Sequence, residues 1–189
     1  MEDARLRPWQ TLSRTVILDH GRFLTVENHE VMLPDGTVIP DWAWVIAPDA
    51  AIVLPRTTDH RFLCFQERRY ALPEITLALP GGLLDPGETG IEAARRELLE
   101  ETGYGSGNWV SLGSHRVDPN RGIATLHLFL ALDVEKVAEP TGGDLEEHLL
   151  MRLGREELAA AMRGGRFNVL AWSAAVALGL DYLRTEAGE

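Results

Sequence analysis

Alternation of apolar and polar positions dominates the first third of the chain. "RTVILD", "FLTVENHEVML" and "TVIPDWAWVIAP" are rich in β-branched and aromatic residues and read as strands. Between the last two, "LPDGT" marks a hairpin, because Asp35-Gly36 readily adopts positive φ. These segments predict a small antiparallel unit over about residues 10–46. "AAIVLPRT" and "RFLCFQERR" follow as two core strands joined by a polar turn at Thr57 to His60.

The period then lengthens from two residues to about 3.6. In "TGIEAARRELLEETG", Ile91, Ala94, Leu98 and Leu99 form an apolar stripe, Thr89 is placed to cap the start and Gly103 to stop the end. That predicts one amphipathic helix of about four turns. Strand composition returns in "WVSLGSHRV", "IATLHLFLALDV" and "EEHLLMRL", and two helices, "REELAAAMRGG" and "NVLAWSAAVALGLDYLRTE", close the chain. Strands flanking single helices predict a mixed α/β or α+β sandwich. The expected organisation is an N-terminal β-strand subdomain over residues 1–46 and a main domain over 47–189.

Composition narrows the class. With 189 residues, 45% apolar and 25% charged, the chain has the make-up of a soluble globular protein able to bury a sizeable core. Its net charge of −11 argues against passive attraction to nucleic acid or to an anionic membrane, so a phosphate-bearing ligand needs local arginines or a metal. The single cysteine, Cys64, lies in an apolar run and reads as a buried strand residue in a reducing compartment. No segment has the about 18 apolar residues of a membrane span, and "MEDARLRPWQ" has no apolar core of signal-peptide length. A cytoplasmic location is expected. The histidines show no zinc spacing, and neither Gly-x-Ser-x-Gly nor a P-loop occurs.

The chemistry concentrates in "GGLLDPGETGIEAARRELLEETGY". Glu97 and Glu101 are four residues apart, and Glu97 and Glu100 three, so their carboxylates crowd one helix face. Repulsion raises a carboxylate pKa unless a cation intervenes. Arg95 and Arg96 supply that cation on an ordinary solvated face; a divalent ion relieves the conflict directly, and magnesium favours such hard oxygen ligands. "LPGGLLDPGE" reads as an irregular loop whose breakers expose backbone groups to a metal or a phosphate.

Gly82, five residues, Glu88, seven residues, then Arg96, Glu97, Leu98, Leu99, Glu100, Glu101, Thr102, Gly103 and Tyr104 resemble the Nudix hydrolase signature, with every defining position filled. The resemblance covers about 23 residues. It implies an α/β/α sandwich and Mg2+-dependent hydrolysis of a nucleoside diphosphate linked to another moiety, with Mn2+ as the alternative ion. By position it implies Glu97 and Glu101 as the main metal ligands. Glu100 becomes a further ligand or water-positioning group, and the Gly81 carbonyl a backbone ligand. A Glu88–Arg96 pair would hold the loop against the helix, with Gly82 and Gly103 as structural positions.

Outside the signature, "LPDG", "ERRYAL" and "LPGGLLDPGE" in succession are similar to the ADP-ribose pyrophosphatase-like branch, where the second stretch commonly reads Gln-Tyr-Arg-Tyr. Here Glu67 and Arg68 replace the first two, and Arg69 keeps its place as a candidate diphosphate contact, with a plain strand-end arginine as the competing reading. Pro119 stands where the branch tends to have a proline, and Arg121 beside it is a candidate phosphate contact or part of a plain turn. The branch implies one more acid from a loop before a late strand, Glu147 first and Glu146 second. Trp42 and Trp44 alternate on one strand face and serve either to stack on a base or ribose, or in the core or a dimer interface. The branch often pairs subunits through its N-terminal strands, so a homodimer is expected. The expected substrate is ADP-ribose or a nucleotide sugar. A nucleoside triphosphate pyrophosphatase is one rival, and a ligand sensor the other, disfavoured because such modules usually lose signature acids that are all present here.

Overall fold

The computed structural model describes residues 6–141 and 148–186. The chain forms two compact units, Met1–Pro48 with Arg116–Thr125, and Asp49–His115 with Leu126–Glu189. No helix among the described residues is long and apolar enough to cross a membrane.

The first unit is an antiparallel sheet in the order β1 (Gln10–Asp19), β2 (Thr25–Met32), β3 (Val38–Ile46). Its Asp-Gly hairpin closes through Leu33 N–H to Thr37 O at 2.8 Å and Gly36 N–H to Leu33 O at 3.0 Å. Gly36 takes φ 88°, which a residue with a Cβ adopts only under strain. The excursion at 116–125 is tied to β3 by Val45 N–H donating to Arg121 O at 2.9 Å. Every residue of β1 is exposed, so its alternating pattern buries neither face.

The second unit carries β4 (Ala50–Thr57), β5 (Phe62–Glu67), β6 (Thr76–Ala78), β7 (Gly81–Leu83), α1 (Gly90–Thr102), β8 (Tyr104–Gly105), β9 (Asn108–Arg116), β10 (Thr125–Lys136), β11 (His148–Leu153), α2 (Arg155–Arg163) and α3 (Leu170–Glu186). β4 runs parallel to β10 and antiparallel to β5 and β7, which makes the sheet mixed. Its side chains alternate between two cores, as strand geometry requires. Ala51 and Val53 join Phe129 and Ala131 against Ala93, Ala94 and Leu98 of α1. Ile52 and Leu54 join Leu128 and Leu130 against Leu158 of α2 and Trp172 and Val176 of α3. One helix covers one sheet face and two cover the other, the α/β/α layering of the Nudix sandwich. Because both faces are covered, β4 and β5 read as near-continuous apolar runs. Cys64 is buried among them, and burial pushes its thiol up to about 12.

Two local expectations are corrected. Gly81–Leu83 is strand rather than irregular loop: Gly82 pairs with Ala51 and Gly81 with Ile52. A Gly-Gly pair carries no strand propensity, so only the distant partner strand organises it. A Cβ on Gly81, at φ 150°, would strike the Ala51 carbonyl. On α1 the buried positions are Ala93, Ala94, Leu98 and Thr102, whereas Leu99 is 39% exposed. Thr102 belongs inside because its hydroxyl donates to the Leu98 carbonyl.

Candidate active site

Helix α1 is fixed at both ends before any chemistry is asked of it. Thr89 and Glu92 form a reciprocal capping box, with Thr89 N–H donating to the Glu92 carboxylate at 2.8 Å. Gly103 closes the other end at φ 72°, donating to Leu99 O at 2.8 Å. Its own carbonyl accepts from Val137 N–H at 2.9 Å and Ala138 N–H at 3.1 Å, which straps the last turn to the chain beyond β10.

Arg96 is the hub of the site. Its Nε donates to Glu88 Oε1 at 3.0 Å and its Nη2 to Glu88 Oε2 at 2.9 Å, a two-pronged pair. Nη2 also reaches Leu83 O at 3.1 Å, which fastens β7 to the helix. Nη1 donates to Glu97 Oε1 at 2.6 Å and to Glu100 Oε2 at 3.3 Å. The Arg96 hydrogen bonds, helped by the Asp85 backbone, hold the Glu88 carboxyl below the usual carboxylate range. The same pair with Glu88 pushes the guanidinium pKa up, so Arg96 stays charged.

The two glycines of β7 set how near the carboxylates come. Gly81 N–H donates to Glu101 Oε2 at 2.9 Å. A Cβ on Gly82 would lie 2.6 Å from Cδ of Glu97, so only hydrogen fits between strand and carboxylate. Strand and helix therefore gather Gly81, Gly82, Glu88, Arg96, Glu97, Glu100 and Glu101 in one place. The Leu83 carbonyl and the Gly82–Glu97 contact were not foreseen, although paired glycines are a signal of close backbone approach. Among the described residues no three carboxylate, imidazole or thiol groups converge closely enough to hold an ion, and Arg96 is the cation lying between Glu97 and Glu100. The donors on offer are nevertheless all hard oxygens, the set that suits Mg2+ or Mn2+.

The remaining candidates have other surroundings. Arg69 is bound through Nε by the buried Glu67 and lies 6.0 Å from the Trp172 ring. Thus the glutamate in place of glutamine gives Arg69 an internal counter-charge. Glu146 and Glu147 lie outside the described residues.

In the first unit, Trp42 and Trp44 line a cleft of about 340 Å³ together with Trp9, Arg14, His29 and Asn120. Trp42 donates its indole N–H to Asn120 O at 2.7 Å and meets Trp9 edge-on at 5.1 Å. Trp44 stacks on His29 at 5.2 Å, and a Cβ on Gly122 would overlap its ring. His29 in turn lies 2.7 Å from the Glu27 carboxylate. Arg121 pairs with Asp118 at 3.5 Å.

Comparison with known proteins agrees with this fold. The family described as NUDIX domain matches residues 46–173, and a second, described as nucleoside diphosphate sugar hydrolase N-terminal domain, matches residues 9–45. A CMP-5'-(N-acetyl-N-hydroxy-3-aminopropyl)phosphonate hydrolase of Streptomyces rubellomurinus is 33% identical over 84% of this chain and 75% of its own length. The ADP compounds hydrolase NudE of Escherichia coli is 33% identical over 74% of each. A crystal structure of an ADP compounds hydrolase shares the fold at a TM-score of 0.79, covering 96% of this chain and 97% of the other at 22% identity. The family match and the relatives together establish that the chain belongs to the Nudix family of hydrolases.

Proposed function

We propose that this hydrolase cleaves the diphosphate of a nucleoside diphosphate derivative, ADP-ribose or a nucleotide sugar, with Mg2+ as cofactor and Mn2+ as the alternative. The observation that carries the proposal is the placement of Glu97 and Glu101 against Gly82 and Gly81 while Arg96 grips Glu88 and Leu83 O. The relatives act, by their names, on a CMP-linked phosphonate and on ADP compounds, and the N-terminal family is named for nucleoside diphosphate sugars, which supports this substrate class.

Glu97 and Glu101, with the Gly81 carbonyl, would hold the ion. Bound there, it would neutralise phosphate oxygens and activate water. Glu100, half exposed, can accept a hydrogen bond from a water and orient it. Arg96 fixes the Glu97 rotamer and keeps β7 at its distance from α1. Arg69 and Arg121 are proposed to meet substrate phosphate, and the Trp42 side of the aromatic cleft the base or ribose. Glu147 is proposed as the further acid.

We also propose a homodimer through β1, whose Leu12, Val16, Ile17 and Leu18 are 48%, 56%, 66% and 48% exposed along one edge strand. Light scattering on the purified chain tests it, and a monomer at assay concentration defeats it.

The activity test incubates the protein with Mg2+ and a panel of ADP-ribose, nucleotide sugars, dinucleotides and nucleoside triphosphates, beside Glu97→Gln and Glu101→Gln. Metal-dependent release of a nucleoside monophosphate, lost in both variants, is the expected result. Preference for a triphosphate would replace the substrate, and binding without turnover would make the chain a sensor.

A further inference from the structure

Arg95 and Leu99 are four residues apart on α1, while Glu97 stands about 200° around the axis from Arg95. They face away from the acidic locus and line a second hollow, of about 350 Å³, completed by Gly105, Ser106, Gly107, Trp109 and Val137. That volume lies near the lower end of the about 300–1,000 Å³ typical of small-molecule pockets. Its walls are apolar surface left in water: Leu99 is 39% and Val137 58% exposed. Trp109 is held edge-on to Phe129, 6.4 Å away in the α1-side core, so the aromatic wall is rigid.

Arg95 is the one charged side chain lining the hollow, and it makes no ion pair among the described residues. Its guanidinium rests 5.7 Å from the Trp109 ring, which orients it, and it feels the Glu92 carboxylate one turn earlier only through charge, with no hydrogen bond between them. In a chain of net charge −11, an arginine kept on an indole rather than on a carboxylate leaves its hydrogen-bond donors for an anion. The absent side chain of Gly105 keeps the hollow open, since a Cβ there would meet Val137 Cγ2 at 3.1 Å and Leu99 Cδ1 at 3.8 Å.

We propose that this hollow is a ligand site, separate from the hydrolytic centre, for a small amphipathic carboxylate with an aromatic or branched aliphatic body. The body covers Leu99, Val137 and Trp109, and the carboxylate meets Arg95. The site touches α1 at Leu99 and its strap at Val137, whose N–H holds the Gly103 carbonyl. A ligand there contacts the turn that bears Glu100 and Glu101 from behind.

The test is a titration of the full chain with naphthoate and with its neutral carboxamide, followed by amide and indole N–H resonances. Saturable shifts at Trp109, Gly105 and Gly107 are expected, with naphthoate favoured by about tenfold, the worth of one charge-assisted hydrogen bond. Arg95→Ala should reduce naphthoate to the affinity of the carboxamide, and Gly105→Leu should abolish both while distant resonances stay in place. Glu101→Gln should leave the titration unchanged, which separates this site from binding at the hydrolytic centre. Absence of saturable shifts, equal affinity for acid and amide, or shifts confined to Glu97 and Glu101 would each overturn the proposal.

Discussion

Gly82 and Glu97 are in contact so close that strand β7 has no room for even a methyl group beside the carboxylate, whose Cδ would lie 2.6 Å from a Cβ. Gly82→Ala should therefore push Glu97 off its position and lower kcat by about a hundredfold, the cost of roughly 1 Å of misplacement. Thermal unfolding should change far less than turnover. Activity within a fewfold of wild type would mean that the position of Glu97 is not critical.

Arg96 donates to three carboxylates and one carbonyl, so Arg96→Gln should cost about 2 kcal/mol or more in unfolding free energy by denaturant titration. A smaller loss would make this a solvent-screened network.

Glu88 gives that network a pH signature. Its carboxyl is lowered in the folded protein from an ordinary value of 4.5, chiefly by the Arg96 hydrogen bonds. A depressed pKa means stability that is complete above 4.5 and is lost as pH falls through the lowered value. The stability gap between wild type and Glu88→Gln should be constant near neutral pH and narrow below 4.5. A gap that does not change with acid would contradict the pairing.

His127 sits under the first turn of α1, with Nδ1 2.8 Å from Ser114 Oγ, and a Cβ on Gly90 would come within 2.6 Å of its Cγ. Gly90→Ala should lower the melting temperature, and adding His127→Ala should restore part of the loss. Additive effects in the double-mutant cycle would show that the two positions are not in steric contact.

Gly122 holds φ 66° with the Trp44 ring where a side chain would be. Gly122→Ala should destabilise the N-terminal unit by roughly 2 kcal/mol and change tryptophan fluorescence. An unaltered emission spectrum would remove the 116–125 excursion from the packing of β3.

With its thiol pushed up to about 12 by burial, Cys64 should resist alkylation in the native protein and react only as fast as the protein opens. Rapid labelling of folded protein would contradict its placement between the two helical layers.

How far the sequence reached follows from the range of the interactions involved. Helix α1, its Thr89 cap, its Gly103 stop and the crowding of Glu97, Glu100 and Glu101 were all legible, because each depends on residues within about four positions of one another. The hairpin at Gly36 was legible for the same reason. The Glu88–Arg96 pair was implied by a resemblance and is present at 2.9 Å.

Tertiary structure alone decided the rest. Gly81 and Gly82 became a strand because β4, some thirty residues earlier, offered its backbone, and local periodicity holds no record of that partner. The same pairing brought Glu97 onto Gly82 and the Leu83 carbonyl onto Arg96. Leu99 was left in the solvent-facing hollow because α1 met the sheet through Ala93, Ala94 and Leu98. Trp44 acquired its cover from Gly122 through a contact that the order of residues does not specify. Sequence supplied the acids and the rigid helix that carries them; packing of distant strands determined their distance from the backbone.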